Sequence, residues 1–301
     1  MIRRILVLVF LLFLPLHLSA QVASYAEIDF DRTLQPWDGF GVNYVETAQT
    51  KNYQEWQQDY GGFSLLSETQ RQEILRMIFG EDGLKPGIIK MFLDPFHEGM
   101  TRKGNDNESP FVLNQDGYDH ETTTEWLRYF ARNGHEITSN RGGDLTIFTT
   151  MYGPPPWVTE QEVIMGRDLN PAMKYEMAEY MIAWVDYLKK EEKLPVKYLS
   201  LHNEGDRPGR WNEEGTEFTG GPLDYNMHWP PEQVVDYLEL MPEMLAHFGH
   251  SDVGIAPGET VNWKFFSILG YAPAIVESDL AFDNIDLITS HSFWNPAPPG
   301  V

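Results

Sequence analysis

Six short apolar runs recur along this sequence at wide intervals, and longer amphipathic stretches separate them. The runs are GFGVNYV (39–45), GIIKMFL (87–93), LTIFTTM (145–151), VKYLSL (196–201), VGIAP (253–257) and IDLITSH (285–291). Runs this short, rich in Val, Ile, Leu and Phe, suit strands buried on both faces. Helical patterns lie between them. Ser67 is a candidate N-cap for a helix to about Phe79, with Gln70 three residues on. Asn170-Pro171 opens a second helix whose Met177, Met181, Trp184, Val185 and Leu188 form an apolar stripe. Residues 122–137, 230–248 and 262–280 supply three more. Strand followed by helix, repeated, implies a parallel α/β architecture. An eight-stranded barrel and an open doubly wound sheet both fit. No Gly-x-Gly-x-x-Gly follows a strand, so the nucleotide-binding version lacks its signature.

The first twenty residues stand apart. Arg3 and Arg4, an apolar run from Ile5 to Leu14, and Leu-Ser-Ala before Gln21 make the pattern of a secretory signal peptide. Export to the periplasm or the medium is expected, with no membrane association after cleavage; the alternative, an uncleaved membrane anchor, is disfavoured because the apolar run is short for a span. The chain has no cysteine, so disulfides, thiol chemistry and Cys-ligated zinc are excluded. The formal net charge of −23 repels phosphate backbones, which argues against nucleic acid as a partner. A neutral ligand is indifferent to that charge. No cofactor is expected, and a monomer is.

If the strands are parallel, their carboxyl ends gather at one rim. Asn43, Asp94, Tyr152, Trp157, Asn203, Glu204, Glu259, His291 and Trp294 all follow strand ends. Carboxylates, amides and aromatics dominate this set, and basic residues are missing from it. Rings stack on the apolar faces of sugars, while amides and carboxylates bind hydroxyls. A carbohydrate is therefore the expected substrate. Asp94, His97 and Glu98 raise a metal as a rival, yet no helical His-Glu-x-x-His pattern supports it.

Glu204 is the candidate for chemistry. A glutamate closing a buried strand is partly desolvated, and a raised pKa suits a general acid that protonates a leaving glycosidic oxygen. Asn203 beside it can bond the hydroxyl next to the reacting carbon. The alternative for Glu204 is a structural ion pair with Arg207.

The motifs WDGFGVNY (37–44), YGPPPWV (152–158), LSLHNEGD (199–206) and SHSFW (290–294) resemble those of glycoside hydrolase family 30. Their order and spacing fit from about residue 36 to the end. The resemblance implies a retaining β-glycosidase on a (β/α)8 barrel, with part of a small accessory β-sandwich at the N-terminus. It implies Glu204 as acid/base, with Asn203, Trp157, Tyr152, His291, Trp294, Asp94, Asn43 and Glu259 around the sugar. It departs from the family at Lys90, where an Arg is usual, and at Phe293, where an aromatic hydroxyl is common. The nucleophilic glutamate belongs to a seventh strand, and this sequence reaches Val301 just past the sixth. The organisation expected is thus a signal peptide over 1–20, a linker or first accessory strand over 21–35, and an incomplete barrel over 36–301. Residues 21–301 alone are expected to be poorly stable and inactive. A non-catalytic carbohydrate-binding barrel and a metal-dependent hydrolase are the rival readings.

Overall fold

The six apolar runs all form strands. A computed structural model describes residues 39–43, 63–98, 109–206, 211–220 and 225–293. The expected signal peptide, the accessory strand at 21–35 and Trp294 lie outside the described residues. Strands β1 (Gly41–Asn43), β2 (Ile88–Leu93), β3 (Thr146–Met151), β4 (Val196–Ser200) and β5 (Gly254–Ala256) pair in chain order, every pair parallel. The register sets Asn43 opposite Lys90, and Thr150 opposite Ser200. A second parallel ladder joins β6 (Glu259–Thr260) to β7 (Thr289–Ser290). Among the described residues no ladder joins β7 to β1, so no closed barrel is formed by them.

The two ladders are linked. Asp286 donates its backbone N–H to Ile255 O at 3.0 Å, and its carboxylate accepts from Ile255 N–H at 3.0 Å. The sixth run therefore lies beside β5 before it reaches β6. A parallel bridge between Asn203 and Glu259 ties β6 back to the end of β4. The displacement between β5 and β6 falls at Pro257-Gly258. Gly258 has φ +119, and a Cβ there would lie 2.1 Å from Nε2 of buried His202. Gly258→Ala is expected to cost about 2 kcal/mol or more, since neither the backbone nor the ring can yield cheaply. A urea midpoint unchanged by this substitution would refute the account of the break.

Period-two alternation separates the two faces of the sheet. Ile89, Met91 and Leu93, then Ile147 and Met151, then Leu199 and Leu201, join one core with the helices. The helices are α1 (Glu68–Phe79), α2 (Glu125–Asn140), α3 (Lys174–Lys190) and α4 (Pro231–His247). Ser67 and Gln70 close α1 with a reciprocal capping box. The alternate positions are also buried: Lys90, Phe92, Phe148, Thr150, Tyr152 and Ser200. Burial on both faces is usual for an all-parallel sheet, and here one of the faces carries Lys and Thr. Apolar side chains stay exposed at both margins, Phe40 beside β1 and Ile288 and Phe293 flanking β7.

The stretch 262–280 is not one helix. It breaks into α5 (Trp263–Ile268), α6 (Tyr271–Glu277) and α7 (Asp279–Asp283). Gly270 adopts φ +94, which ends the first, and Ser278 caps the third by accepting from Ala281 N–H. Among the described residues no helix is long and apolar enough to cross a membrane.

Candidate active site

The chain leaves β4 through an unusual backbone. Glu204 has φ +52, the left-handed region that a residue with a side chain seldom adopts. Its neighbours hold it there. Asn203 N–H donates to Met151 O at 3.1 Å, and Glu204 N–H donates to Glu259 O at 2.7 Å. Glu204 O accepts from Asn226 Nδ2 at 3.2 Å, and Gly205 N–H donates to His202 Nδ1 at 3.1 Å. Burial pushes the His202 pKa down to about 3, which keeps that imidazole neutral and able to accept. The strand end, the β6 backbone and the 225–230 segment together fix where the Glu204 side chain starts.

That side chain ends one arm of a row of alternating charges. His291 Nδ1 lies 2.6 Å from Glu204 Oε1, and its Nε2 lies 3.0 Å from Glu259 Oε2. Glu259 is buried and also takes hydrogen bonds from Lys90 Nζ and Thr150 Oγ1. Lys90 Nζ reaches Asn203 Oδ1 at 3.1 Å and sits 4.4 Å from the centre of the Phe92 ring. The order is Lys90, Glu259, His291, Glu204. Burial alone pulls the His291 pKa down, but hydrogen bonds to Glu204 and Glu259 outweigh it and raise the pKa to about 9. Burial works the other way on Glu259. It raises that pKa, and the charge of Lys90 with the bonds from His291, Lys90 and Thr150 bring it down to about 2. Burial also lowers the Lys90 pKa, against the pull of Glu259 and Glu204. The coupling to Glu259 keeps the pair ionised, because each charge is the other's main compensation in the interior.

The predicted site residues divide. Glu204, Asn203, His291 and Glu259 converge in one network with Lys90. Glu259 is an internal ion-pair partner here, where a sugar contact was expected. Tyr152 lies on the same sheet face, its ring 4.9 Å from Phe92 and 5.7 Å from Tyr225. Asn43 is exposed, opposite Lys90 in the ladder. Asp94 turns away. Its carboxylate accepts from Thr123 Oγ1 and Phe96 N–H, both at 2.8 Å, and lies 3.5 Å from His97 Nε2. Trp157 packs, half-buried, against the core shared by sheet and helices. Trp294 and Arg207 lie outside the described residues. Lys90 and Thr150 complete the network without having been assigned to it. A lysine inside GIIKMFL was the available signal, since a buried charge in a strand needs a partner.

A cavity of about 490 Å³ opens elsewhere, lined by Gln115, Tyr118, His120, Asp186 and Tyr187 among others. It contains none of the residues of this network.

No protein-family model matches the chain, and no curated protein matches it. Solved structures do. The SrfJ protein of Salmonella typhimurium superposes with a TM-score of 0.61 at 14% identity, over 86% of this chain and 51% of its own. A conserved exported protein from Bacteroides fragilis gives 0.60 at 15%, over 90% of this chain and 56% of its own. The family 30 subfamily 8 xylanase Xyn30A from Clostridium acetobutylicum gives 0.53 at 19%, over 86% of this chain and 50% of its own. The fold is one that glycoside hydrolases use. The chain spans about half the length of these structures.

Proposed function

We propose that this chain carries the acid/base half of a retaining β-glycosidase of the family 30 type, acting on a neutral oligo- or polysaccharide outside the cytoplasm. The observation that carries the reading is Glu204, held in a left-handed turn at the end of a central parallel strand with its carboxylate 2.6 Å from an imidazole. A carboxyl fixed in place and coupled to a proton-exchanging group suits general acid/base catalysis. The xylanase named above supports the choice of glycosidic bonds over other substrates.

In this reading Glu204 protonates the departing oxygen while a second carboxylate attacks the anomeric carbon. Glu204 then takes a proton from the water that releases the sugar. Glu259 is not the attacking group, since Lys90, Thr150 and His291 occupy its oxygens inside the protein. We place the nucleophile on a further strand past residue 301, and the exposed apolar margins at Phe40, Ile288 and Phe293 support further strands. Lys90 stands where the family has Arg, and its bond to Asn203 orients the amide expected to meet the neighbouring hydroxyl.

The stereochemical course tests the reading. Aryl β-glycosides of glucose, galactose and xylose are offered to the full-length protein, and the first-formed sugar is followed by proton NMR. Retention predicts the β-anomer first, with the α-anomer arriving by mutarotation. An α-anomer formed first would sink it.

A further inference from the structure

The bonds around His291 assign its two nitrogens different work. Glu259 carries donors on both carboxylate oxygens: Thr150 Oγ1 on one, Lys90 Nζ and His291 Nε2 on the other. A carboxylate so surrounded accepts, so the hydrogen of His291 Nε2 is directed at it. That fixes one ring position and leaves Nδ1 facing Glu204 Oε1 across 2.6 Å. One further proton fits in that gap. It resides on Nδ1 as an imidazolium beside a carboxylate, or on Glu204 as a carboxylic acid donating to a neutral ring. The arrangement has the logic of a carboxylate, an imidazole and a third group in line.

We propose that His291 is the proton partner of Glu204, holding the catalytic proton between the two halves of the reaction, with Glu259 and Lys90 as the positioning residues that fix its ring. This rests on the reading of Glu204 as acid/base. The proton balance is closed. In the first step Glu204 gives the shared proton to the glycosidic oxygen as the carbon–oxygen bond breaks. The Glu204–His291 pair is then one proton short, a carboxylate beside a neutral ring. In the second step water attacks the glycosyl intermediate and gives its proton to Glu204, from which it passes to Nδ1. Nothing else is consumed.

Among the described residues, three charged or titratable groups surround this pair. Lys90 comes from β2, His202 from the loop after β4, and Glu259 from β6. Phe293 supplies an apolar edge, its ring centre 5.3 Å from that of His291. His202 stays neutral and is turned to Gly205. After Glu204 itself, Glu259 is therefore the group whose charge most directly sets how firmly His291 keeps its proton. The raised pKa of His291 agrees with this placement.

The test follows the His291 ring nitrogens by 15N NMR through a pH titration of the full chain, beside the pH–rate profile of kcat/KM. In the unaltered protein, Nε2 should stay protonated throughout while Nδ1 loses its proton well above pH 7. Glu259→Gln should lower that midpoint by about one pH unit or more, and the basic limb of kcat/KM should move with it. Glu204→Gln should lower the same midpoint, because coupling between two sites is reciprocal. A His291 that titrates near 6.5 in the unaltered protein overturns the proposal, even if neither variant folds. So does a basic limb that stays put in Glu259→Gln while the midpoint moves. A midpoint that behaves as expected in a protein with no glycosidase activity would instead reject the acid/base reading and leave the shared proton standing.

Discussion

Lys90→Met is expected to destabilise the protein by about 3–5 kcal/mol at pH 7, the usual cost of removing one partner of a buried ion pair. Lys90 and Glu259 are both buried, and Lys90 also satisfies Asn203 Oδ1. Met fills much of the same volume, so packing changes little and the charge left behind dominates. Desolvation, the largest single influence on Glu259, would then be opposed by the bonds from His291 and Thr150 alone. The pH dependence has a definite sign. In the unaltered protein Glu259 titrates at about 2, below its ordinary 4.5, so its contribution is present above about pH 4.5 and is lost as pH falls through 2. His291 titrates at about 9, above its ordinary 6.5, so its contribution is full below 6.5 and is lost as pH rises through 9. Both are full between 4.5 and 6.5. In Lys90→Met the Glu259 pKa moves up, and the deficit should shrink toward acid as that carboxylate gains a proton. Urea unfolding at several pH values measures this. Lys90→Met combined with Glu259→Gln should recover part of the loss. A double variant no more stable than Lys90→Met, or a single loss below about 1 kcal/mol, would show that the pair does not hold this part of the molecule.

The ladder was readable from the sequence because buried parallel strands are nearly pure apolar runs, and each of the six predicted runs contains its strand. Ser67 was readable for a similar reason, since a capping box is a contact over three residues. Directions beyond the strand ends were less so. Alternation assigns a face only while the chain stays in the ladder. Asp94, one residue past β2, was expected at the sugar site, and Thr123 from the segment before α2 captures it instead. Glu259 was expected as a sugar contact and lies in an internal ion pair with a residue 169 positions away. No local pattern encodes such a pairing. The break of 262–280 at Gly270 was in principle visible, because a glycine inside a helical stretch is a candidate terminus.

Glu204→Ala is expected to lower kcat/KM by about 10²–10⁴ on substrates with poor leaving groups, the range a positioned acid/base supplies. The loss should be much smaller when the leaving group is a nitrophenolate, which departs without protonation. On such substrates the second step becomes limiting, because no group remains to deprotonate water. Azide is a nucleophile that needs no base, and the space left by the truncated carboxylate admits it. Added azide should therefore restore turnover on nitrophenyl substrates and yield a β-glycosyl azide. A structural role for Glu204 predicts something different. Its backbone is already held by Glu259, Asn226 and its neighbours' bonds to Met151 and His202, so truncation would loosen His291 and depress all substrates alike. Azide would then restore nothing. The dependence on leaving group and the identity of the azide product together separate a residue that moves a proton from one that braces the site.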